Sequence, residues 1–142
     1  MGPLSQSTLV IVESGADASG MAGRVLAQAE GETLSRFLSR VRPAVSDAKL
    51  QRVVIVAGVV HDFARIAARA DLARSAAQSV SSGGGGSLVL AASDARGELA
   101  QRALAEILRE QLDSNVRVTV PELDIAPIAA DMPSTVVAPR AA

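Results

Sequence analysis

Three glycines follow the first apolar run of the chain, and their placement is typical of a nucleotide-binding turn. Gly15, Gly20 and Gly23 lie between a strand-like run and a stretch that we interpret as a helix. Glycine lets the backbone approach a pyrophosphate, and a helix N-terminus adds partial positive charge. Together with Ser19, they are the candidate cofactor-binding residues. Their spacing fits neither G-x-G-x-x-G nor T-G-x-x-x-G-x-G without one inserted residue, so a plain strand-to-helix turn capped by Asp17 or Ser19 is the alternative.

A histidine–aspartate pair and a serine–aspartate pair follow two later apolar runs. His61 and Asp62 would lie at the carboxyl edge of a parallel sheet, where functional groups gather. The alternative is a solitary histidine beside an aspartate that caps the next helix. Ser93 and Asp94 are interpreted as helix caps. The chain has one histidine and no cysteine, which excludes disulfides, thiol catalysis and a zinc site. We therefore predict no metal.

Four short runs of aliphatic, largely β-branched residues predict the strands that would position these groups. They cover residues 8–12, 53–57, 87–91 and 116–120. The first three are continuous rather than alternating, as in strands buried on both faces. Helical periodicity lies between them, over residues 34–41 before Pro43, 63–80 and 99–112. This alternation predicts an α/β fold: a doubly wound, mostly parallel sheet of four or five strands in three αβα layers, which is a truncated Rossmann-like domain.

The length of 142 residues is that of one domain. We predict a flexible N-terminus at residues 1–7, the Rossmann-like domain at 8–120 and a largely irregular tail at 121–142, in which residues 135–138 could add an edge strand. The glycine run at 83–86 precedes a strand rather than a helix. It is therefore either a linker-like insertion or the loop that enters this strand, and we do not expect it to bind phosphate.

The overall composition narrows the classes of function. Fourteen basic residues against fifteen acidic ones give a net charge of −1. No basic stripe interleaved with aromatic residues stands out, so nucleic acid is not an expected partner. Hydrophobic residues make up 49% of the chain, yet only Phe37 and Phe63 are aromatic. We recognise neither a signal peptide nor an apolar stretch of the ~20 residues that a membrane helix needs, and we expect a cytoplasmic protein without membrane contact.

The order of these segments resembles the short-chain dehydrogenase/reductase superfamily. Residues 14–27 look like the glycine-rich turn and first helix of that family, and residues 54–59 (Val-Ile-Val-Ala-Gly-Val) resemble its N-N-A-G strand. Residues 86–93 resemble the strand that ends in the catalytic serine, here Ser93. Residues 98–105 resemble the helix that begins Y-x-x-S-K-x-A. Within the superfamily, the chain is similar to the truncated, non-catalytic Rossmann-like region at the N-terminus of high-molecular-weight ketoacyl reductases.

The resemblance implies a chain without the family's proton-transfer chemistry. The tyrosine and lysine of the family motif match Glu98 and Arg102, the chain has no tyrosine, and its single lysine is Lys49. A glutamate, which is ionised at neutral pH, does not replace a phenol as a proton donor. We interpret Glu98 as the first member of a helical charge row with Arg102 and Glu106. We therefore predict no catalytic residue.

A cofactor is not expected either. The resembling family needs an acid at the end of a second strand to bind the adenosine ribose. Between Arg24 and Arg52 the sequence looks helical and contains no strand-like run, and Glu30 and Glu32 lie near the expected distance but flank Gly31. With that strand absent, the first strand would lie at an edge of the sheet. NAD(P) binding belongs to the alternative of a minimal reductase.

Association with another chain is the function that these absences favour. The helices predicted at 63–80 and 99–112 match the pair that forms a dimeric four-helix bundle in the resembling family. We predict a non-catalytic pseudoenzyme subunit that associates with itself or with an active acyl-thioester reductase. The alternatives are a minimal NAD(P)-dependent reductase that uses Ser93 and an unconventional acid, and a small-ligand or phosphate sensor that uses the turn 15–23. The predicted interface residues are Phe63, Ile66, Ala70, Leu104, Ile107 and Leu108.

Overall fold

The computed structural model describes residues 8–16, 23–46, 49–112 and 115–121, and strands and helices alternate along them. The elements are β1 (Thr8–Val12), β2 (Arg24–Ala27), α1 (Leu34–Val45), β3 (Arg52–Ala57), α2 (Phe63–Ser82), β4 (Gly86–Ala92), α3 (Ala95–Gln111) and β5 (Val116–Thr119). No helix in these ranges is both long enough and apolar enough to cross a membrane.

The five strands form one parallel sheet in the order β2-β1-β3-β4-β5. The chain moves from β1 outward to β2, returns across β1 to β3 and then continues in the opposite direction to β5. This reversal makes the sheet doubly wound and places its switch point between β1 and β3. The predicted α/β class, with a parallel sheet of four or five strands, is confirmed.

Both faces of the central strands are buried, as their continuous aliphatic sequences predict. On one face, alternate residues of the strands pack against all three helices, and Phe37 of α1 is among the most buried side chains there. The opposite face carries a second buried cluster, against which Ala16 packs. All three helices lie on the first face, and burial of the second face as well is consistent with the predicted three-layer arrangement. The second cluster consists of Val10, Val12, Val54, Val56, Val89 and Ala91.

Each helix begins at a side-chain cap. Thr33, Asp62 and Asp94 each accept a hydrogen bond from the backbone N–H of the third helical residue. The first helix extends two residues beyond Pro43, where we expected it to end. A proline in the last turn removes one backbone donor but does not prevent Val45 from packing into the core.

The strand β2 corrects the prediction that no strand lies between Arg24 and Arg52. Residues 24–27 pair in parallel with residues 9–12, so β1 is an interior strand and not an edge strand. The interpretation of residues 14–27 as a turn and a helix is wrong at residues 24–27 for the same reason, and residues 17–22 lie outside the described ranges. β2 is a short edge strand with mostly exposed side chains, and its sequence Arg-Val-Leu-Ala lacks the apolar pattern of a buried strand. Backbone pairing with β1 overrides its helical propensity.

Each outer strand is held by an arginine from the helical layer. Arg40 of α1 donates a hydrogen bond of 2.7 Å from Nη2 to the carbonyl of Ala27 in β2. Arg109 of α3 donates from Nε and Nη2 to the carbonyl of Val118 in β5, at 3.2 and 2.8 Å. Exposed edge carbonyls are a template for pairing with another chain. These contacts use one such carbonyl on each edge.

The glycine run 83–86 is the tight entry to β4. A Cβ atom on Gly86 would lie 1.9 Å from the carbonyl oxygen of Gln51, and one on Gly85 would lie 2.7 Å from that of Asn115. Two of the glycines are therefore required by close backbone packing. The edge strand predicted at 135–138 and the flexible N-terminus predicted at 1–7 lie outside the described residues.

Candidate functional site

The carboxyl ends of β1 and β3 define the place where a site is expected. In doubly wound sheets, ligands bind beyond the carboxyl ends of the strands at the switch point. Here β1 is followed by Glu13 and Ser14, and β3 is followed by Gly58 and Val59. The contacts among these residues therefore decide whether a ligand has room.

A buried ion pair lies at the switch point. The Glu13 carboxylate accepts hydrogen bonds from Nε and Nη2 of Arg69 at 2.6 and 2.7 Å, and a third from the backbone N–H of Gly58 at 3.0 Å. Glu13 is 5% exposed and Arg69 is 2% exposed. Arg69 belongs to α2, so this contact joins the helix to the ends of β1 and β3. The two-point geometry and the N–H donor offset part of the desolvation of both charges, although Nη1 of Arg69 is buried without a partner.

The loops after β1 and β3 also pack directly against each other. A Cβ atom on Gly58 would lie 2.1 Å from the carbonyl oxygen of Ser14, a distance that no side chain can occupy. Gly15 has a φ of +85°, and a Cβ there would lie 3.2 Å from the Val59 side chain. The described parts of the two loops therefore leave no gap between Gly58 and Ser14.

A second polar contact joins the ends of β1 and β2 to α2. The Gln28 side-chain oxygen accepts hydrogen bonds from the Ser14 backbone N–H at 3.2 Å and from Arg65 Nη1 at 2.6 Å. Arg65 is one helical turn before Arg69 and is partly buried. No carboxylate of the described ranges lies within ion-pair distance of it, and its Nε is buried without an acceptor. Arg65 therefore differs from Arg69 in having only a neutral partner.

His61 and Asp94 form a contact that is used for structure. Asp94 Oδ1 accepts the Gly97 backbone N–H at 2.7 Å and lies 3.0 Å from His61 Nε2. The Gly97 N–H, with a smaller contribution from His61, lowers the pKa of the Asp94 carboxyl. The His61 ring packs beside Gly97, and its Nδ1 is hidden from solvent. As predicted, Asp94 caps a helix and His61 stands next to the capping Asp62.

The side chains at the positions that resemble the reductase motifs have partners within the chain. The Ser93 hydroxyl donates a hydrogen bond of 2.8 Å to the carbonyl of Ala57 and is not the predicted cap. Glu98 pairs with Arg102 at 2.8 Å on the surface of α3, which is the predicted charge pair. The third member of that row, Glu106, pairs with Arg109.

The two candidate glycines that the structure describes lie at opposite ends of β1. Gly15 follows the strand, whereas Gly23 packs against Thr8 at its beginning and leads into β2 rather than into a helix. These two glycines therefore do not form one phosphate-binding turn. Ser19 and Gly20 lie outside the described residues.

Glu30 and Glu32 follow a strand, contrary to our expectation. They belong to the loop between β2 and α1, because β2 ends at Ala27. The two oxygens of Glu32 bind the Arg40 guanidinium at 2.8 Å, and one of them accepts the Ala29 backbone N–H at 2.9 Å. The Arg40 hydrogen bonds, with help from the Ala29 N–H, lower the pKa of Glu32 to about 2.

The predicted interface residues divide into an exposed group and a buried group. Phe63, Ile66 and Ile107 are exposed on α2 and α3. Leu104 and Leu108 face the sheet and belong to the core of the chain itself, and Ala70 packs against the same core. The exposed apolar residues Val59, Val60 and Leu99 were not predicted.

Sequence reasoning also missed the polar contacts at the carboxyl edge. The available signals were an acid directly after a buried strand (Glu13) and two arginines four residues apart in an alanine-rich helix (Arg65 and Arg69). Within the described ranges, no three His, Cys, Asp or Glu side chains are grouped as metal ligands would be. Comparison with known proteins found no matching family model, no matching curated protein and no matching solved structure.

Proposed function

We propose that the chain is a non-catalytic Rossmann-like module that acts by binding another protein chain. The observation that carries the proposal is the distribution of exposed large apolar side chains. Among the described residues, six of the seven lie on α2, on α3 or in the loop before α2, and only Val25 lies elsewhere. The six are Val59, Val60, Phe63, Ile66, Leu99 and Ile107.

These residues define a surface that we call the association surface. The helices α2 and α3 contact each other, so their exposed sides adjoin. Leu99, Ala103 and Ile107 are spaced four residues apart and line the exposed side of α3. Phe63 is 86% exposed at the beginning of α2. Burying a large apolar side chain contributes about 1.5–3 kcal/mol, so contact with a partner would stabilise a complex considerably.

The polar contacts at the carboxyl edge support a role other than catalysis. Glu13 and Arg69 pair with each other at the switch point, and the Ser93 hydroxyl is bound to a backbone carbonyl. Glu98 and Arg102, at the positions of the family's tyrosine and lysine, form a surface ion pair. None of these side chains has the arrangement of a nucleophile beside a base.

The class of partner comes from the resemblance alone. In short-chain reductases, the helices that α2 and α3 resemble mediate subunit contact. We therefore propose self-association or association with an active acyl-thioester reductase.

The test places charge on the association surface and measures assembly. Leu99→Glu combined with Ile107→Glu should abolish self-association, or binding to the reductase, in sedimentation velocity, with an unchanged circular dichroism spectrum. Val25→Glu is the matched control, since Val25 is exposed and apolar but lies outside this surface. A wild-type chain that stays monomeric at tens of micromolar and binds no reductase would contradict the proposal, as would a double variant that assembles normally.

A further inference from the structure

The second face of the sheet, opposite to the helices, is buried although no described helix covers it. The helices α1, α2 and α3 all pack on the first face. The six side chains of the second cluster lie on β1, β3 and β4 and are at most 9% exposed. Among the partly buried apolar residues of the described ranges, Ala16 alone packs against this cluster. One alanine is too small to cover three strands, so most of the cover has another source.

That source is the chain itself, because the six side chains have these low exposures in a single copy without a second molecule. The connection from β1 to β2 contributes to the cover. Right-handed crossovers place it on the second face, since the connections that carry the helices run in the opposite direction across the sheet. However, this connection, residues 13–23, joins β1 to the edge strand, whereas the second cluster extends the other way to β4. Another segment must therefore cover β3 and β4.

The segment that follows β5, residues 122–142, has the position and the length for this role. Its first residues follow β5 closely, and β5 is the neighbour of β4. The distance from β5 to β1 is three strand spacings, about 15 Å, whereas a segment of this length spans up to roughly 70 Å when extended. It also carries large apolar side chains at Leu123, Ile125, Ile128, Met132, Val136 and Val137.

The other segments outside the described ranges have too few apolar side chains to cover this face. Residues 1–7 contribute Met1 and Leu4, residues 17–22 contribute Met21, and residues 47–48 and 113–114 contribute no large apolar side chain. In the C-terminal segment, residues 125–130 read Ile-Ala-Pro-Ile-Ala-Ala and carry no charge. An uncharged stretch suits a face that consists of valine and alanine alone, because a charge buried there would have no partner.

We propose that the second face of the sheet is a binding face for the chain's own C-terminal segment, with residues 125–130 packed on β3 and β4. The segment then supplies the layer that the short connection from β1 to β2 does not complete. This inference does not rest on the proposed association function, because the association surface belongs to α2, α3 and the loop before α2, and α2 and α3 pack on the first face.

The experiment uses single thiols in the full chain, which has no cysteine of its own. Ala91→Cys places a thiol on the second face, where Ala91 is 8% exposed. Ala105→Cys places a thiol on α3 in the core of the first face, where Ala105 is 0% exposed, and is the matched control. Both thiols should react with a maleimide far more slowly in the native chain than in urea.

Charge in the C-terminal segment should then uncover one face alone. Ile125→Asp combined with Ile128→Asp should raise the reaction rate at position 91 about tenfold or more and leave the rate at position 105 unchanged. Ser134→Asp combined with Thr135→Asp adds the same charge at polar positions of the same segment and should change neither rate.

Photo-cross-linking tests the contact without the thiols or the aspartates. A photoreactive phenylalanine analogue in place of Ile128 should form links to β1, β3 or β4 of the same copy, as identified by mass spectrometry in a mixture of isotope-labelled and unlabelled chains. Links to the helices or between copies would overturn the inference. An unchanged rate at position 91 in the aspartate variant, or an equal rise at positions 91 and 105, would overturn it as well. The assembly measured with the charged variants at Leu99 and Ile107 is a separate readout.

Discussion

Replacing Glu13 by glutamine is expected to destabilise the chain because it leaves the Arg69 guanidinium buried without a counterion. The glutamine has nearly the same volume, so the change removes charge without creating a cavity. One of its two side-chain heteroatoms becomes an N–H donor that faces the Arg69 donors now 2.6 and 2.7 Å from the carboxylate. Removing one partner of a buried ion pair costs about 3–5 kcal/mol, and the near-complete burial of both residues places this pair in that class.

The same reasoning predicts a non-additive double variant. Arg69→Met alone should also cost about 3–5 kcal/mol, because it leaves a buried carboxylate with Gly58 as its remaining hydrogen-bond donor. Glu13→Leu combined with Arg69→Met removes both charges and should be more stable than either charge-removing single variant. Urea unfolding at neutral pH measures the free energy of unfolding of each variant. The slope of this free energy against urea concentration should be the same for all of them. Single variants within about 1 kcal/mol of wild type, or a double variant whose loss equals the sum of the two single losses, would refute the buried-pair argument.

Two further predictions concern Gly58, which binds Glu13, and Glu32, in the loop before α1. Gly58→Ala should lower the free energy of unfolding by more than about 1–3 kcal/mol, because its Cβ would lie 2.1 Å from the Ser14 backbone. Gly31→Ala is the control: it has a φ of +82° but open space around it, and it should cost about 1–2 kcal/mol. Equal losses for the two variants in urea unfolding would contradict the close contact between Gly58 and Ser14. The Glu32 pKa of about 2, against an ordinary 4.5, means that its stabilisation is complete above pH 4.5 and is lost as the pH falls toward 2. Glu32→Gln should unfold with a weaker pH dependence across that range, and an unchanged dependence would contradict the Arg40 contact.

The interior strands could be predicted from the sequence because burial on both faces selects an uninterrupted aliphatic run. Val53 to Ala57 is such a run, and all five side chains are buried. β2 could not be predicted in this way, because most of its side chains are exposed and its position depends on hydrogen bonds between the backbones of β2 and β1. The sequence did not show which face of α3 packs on the sheet, for another reason. Leu104 and Leu108 point to the sheet and Leu99 and Ile107 to solvent, so two apolar stripes have the same period and periodicity does not say which is inside.

In the candidate site, the contacts between residues close in sequence could be predicted, whereas the contact between distant residues could not. The caps at Asp62 and Asp94 span three residues and follow from residue type and position alone. The Glu13–Arg69 pair joins residues 56 positions apart, and only the order of the strands brings them together. Each residue alone looks like an ordinary surface charge, so the sequence offers no reason to connect them.

Several acidic side chains lie at the carboxyl edge of this sheet, and each of them has a partner within the chain. Glu13 is paired with Arg69, Glu32 with Arg40, and Asp62 and Asp94 cap helices. His61 has one ring nitrogen on Asp94 and the other hidden from solvent. Each of these five groups thus has a structural contact within the chain, and in Asp62 and Asp94 that contact uses Oδ1. Arg65 is the opposite case, a cation with no carboxylate partner among the described residues. Our proposal that the chain acts through a partner rests instead on the exposed apolar side chains of α2, of α3 and of the loop before α2.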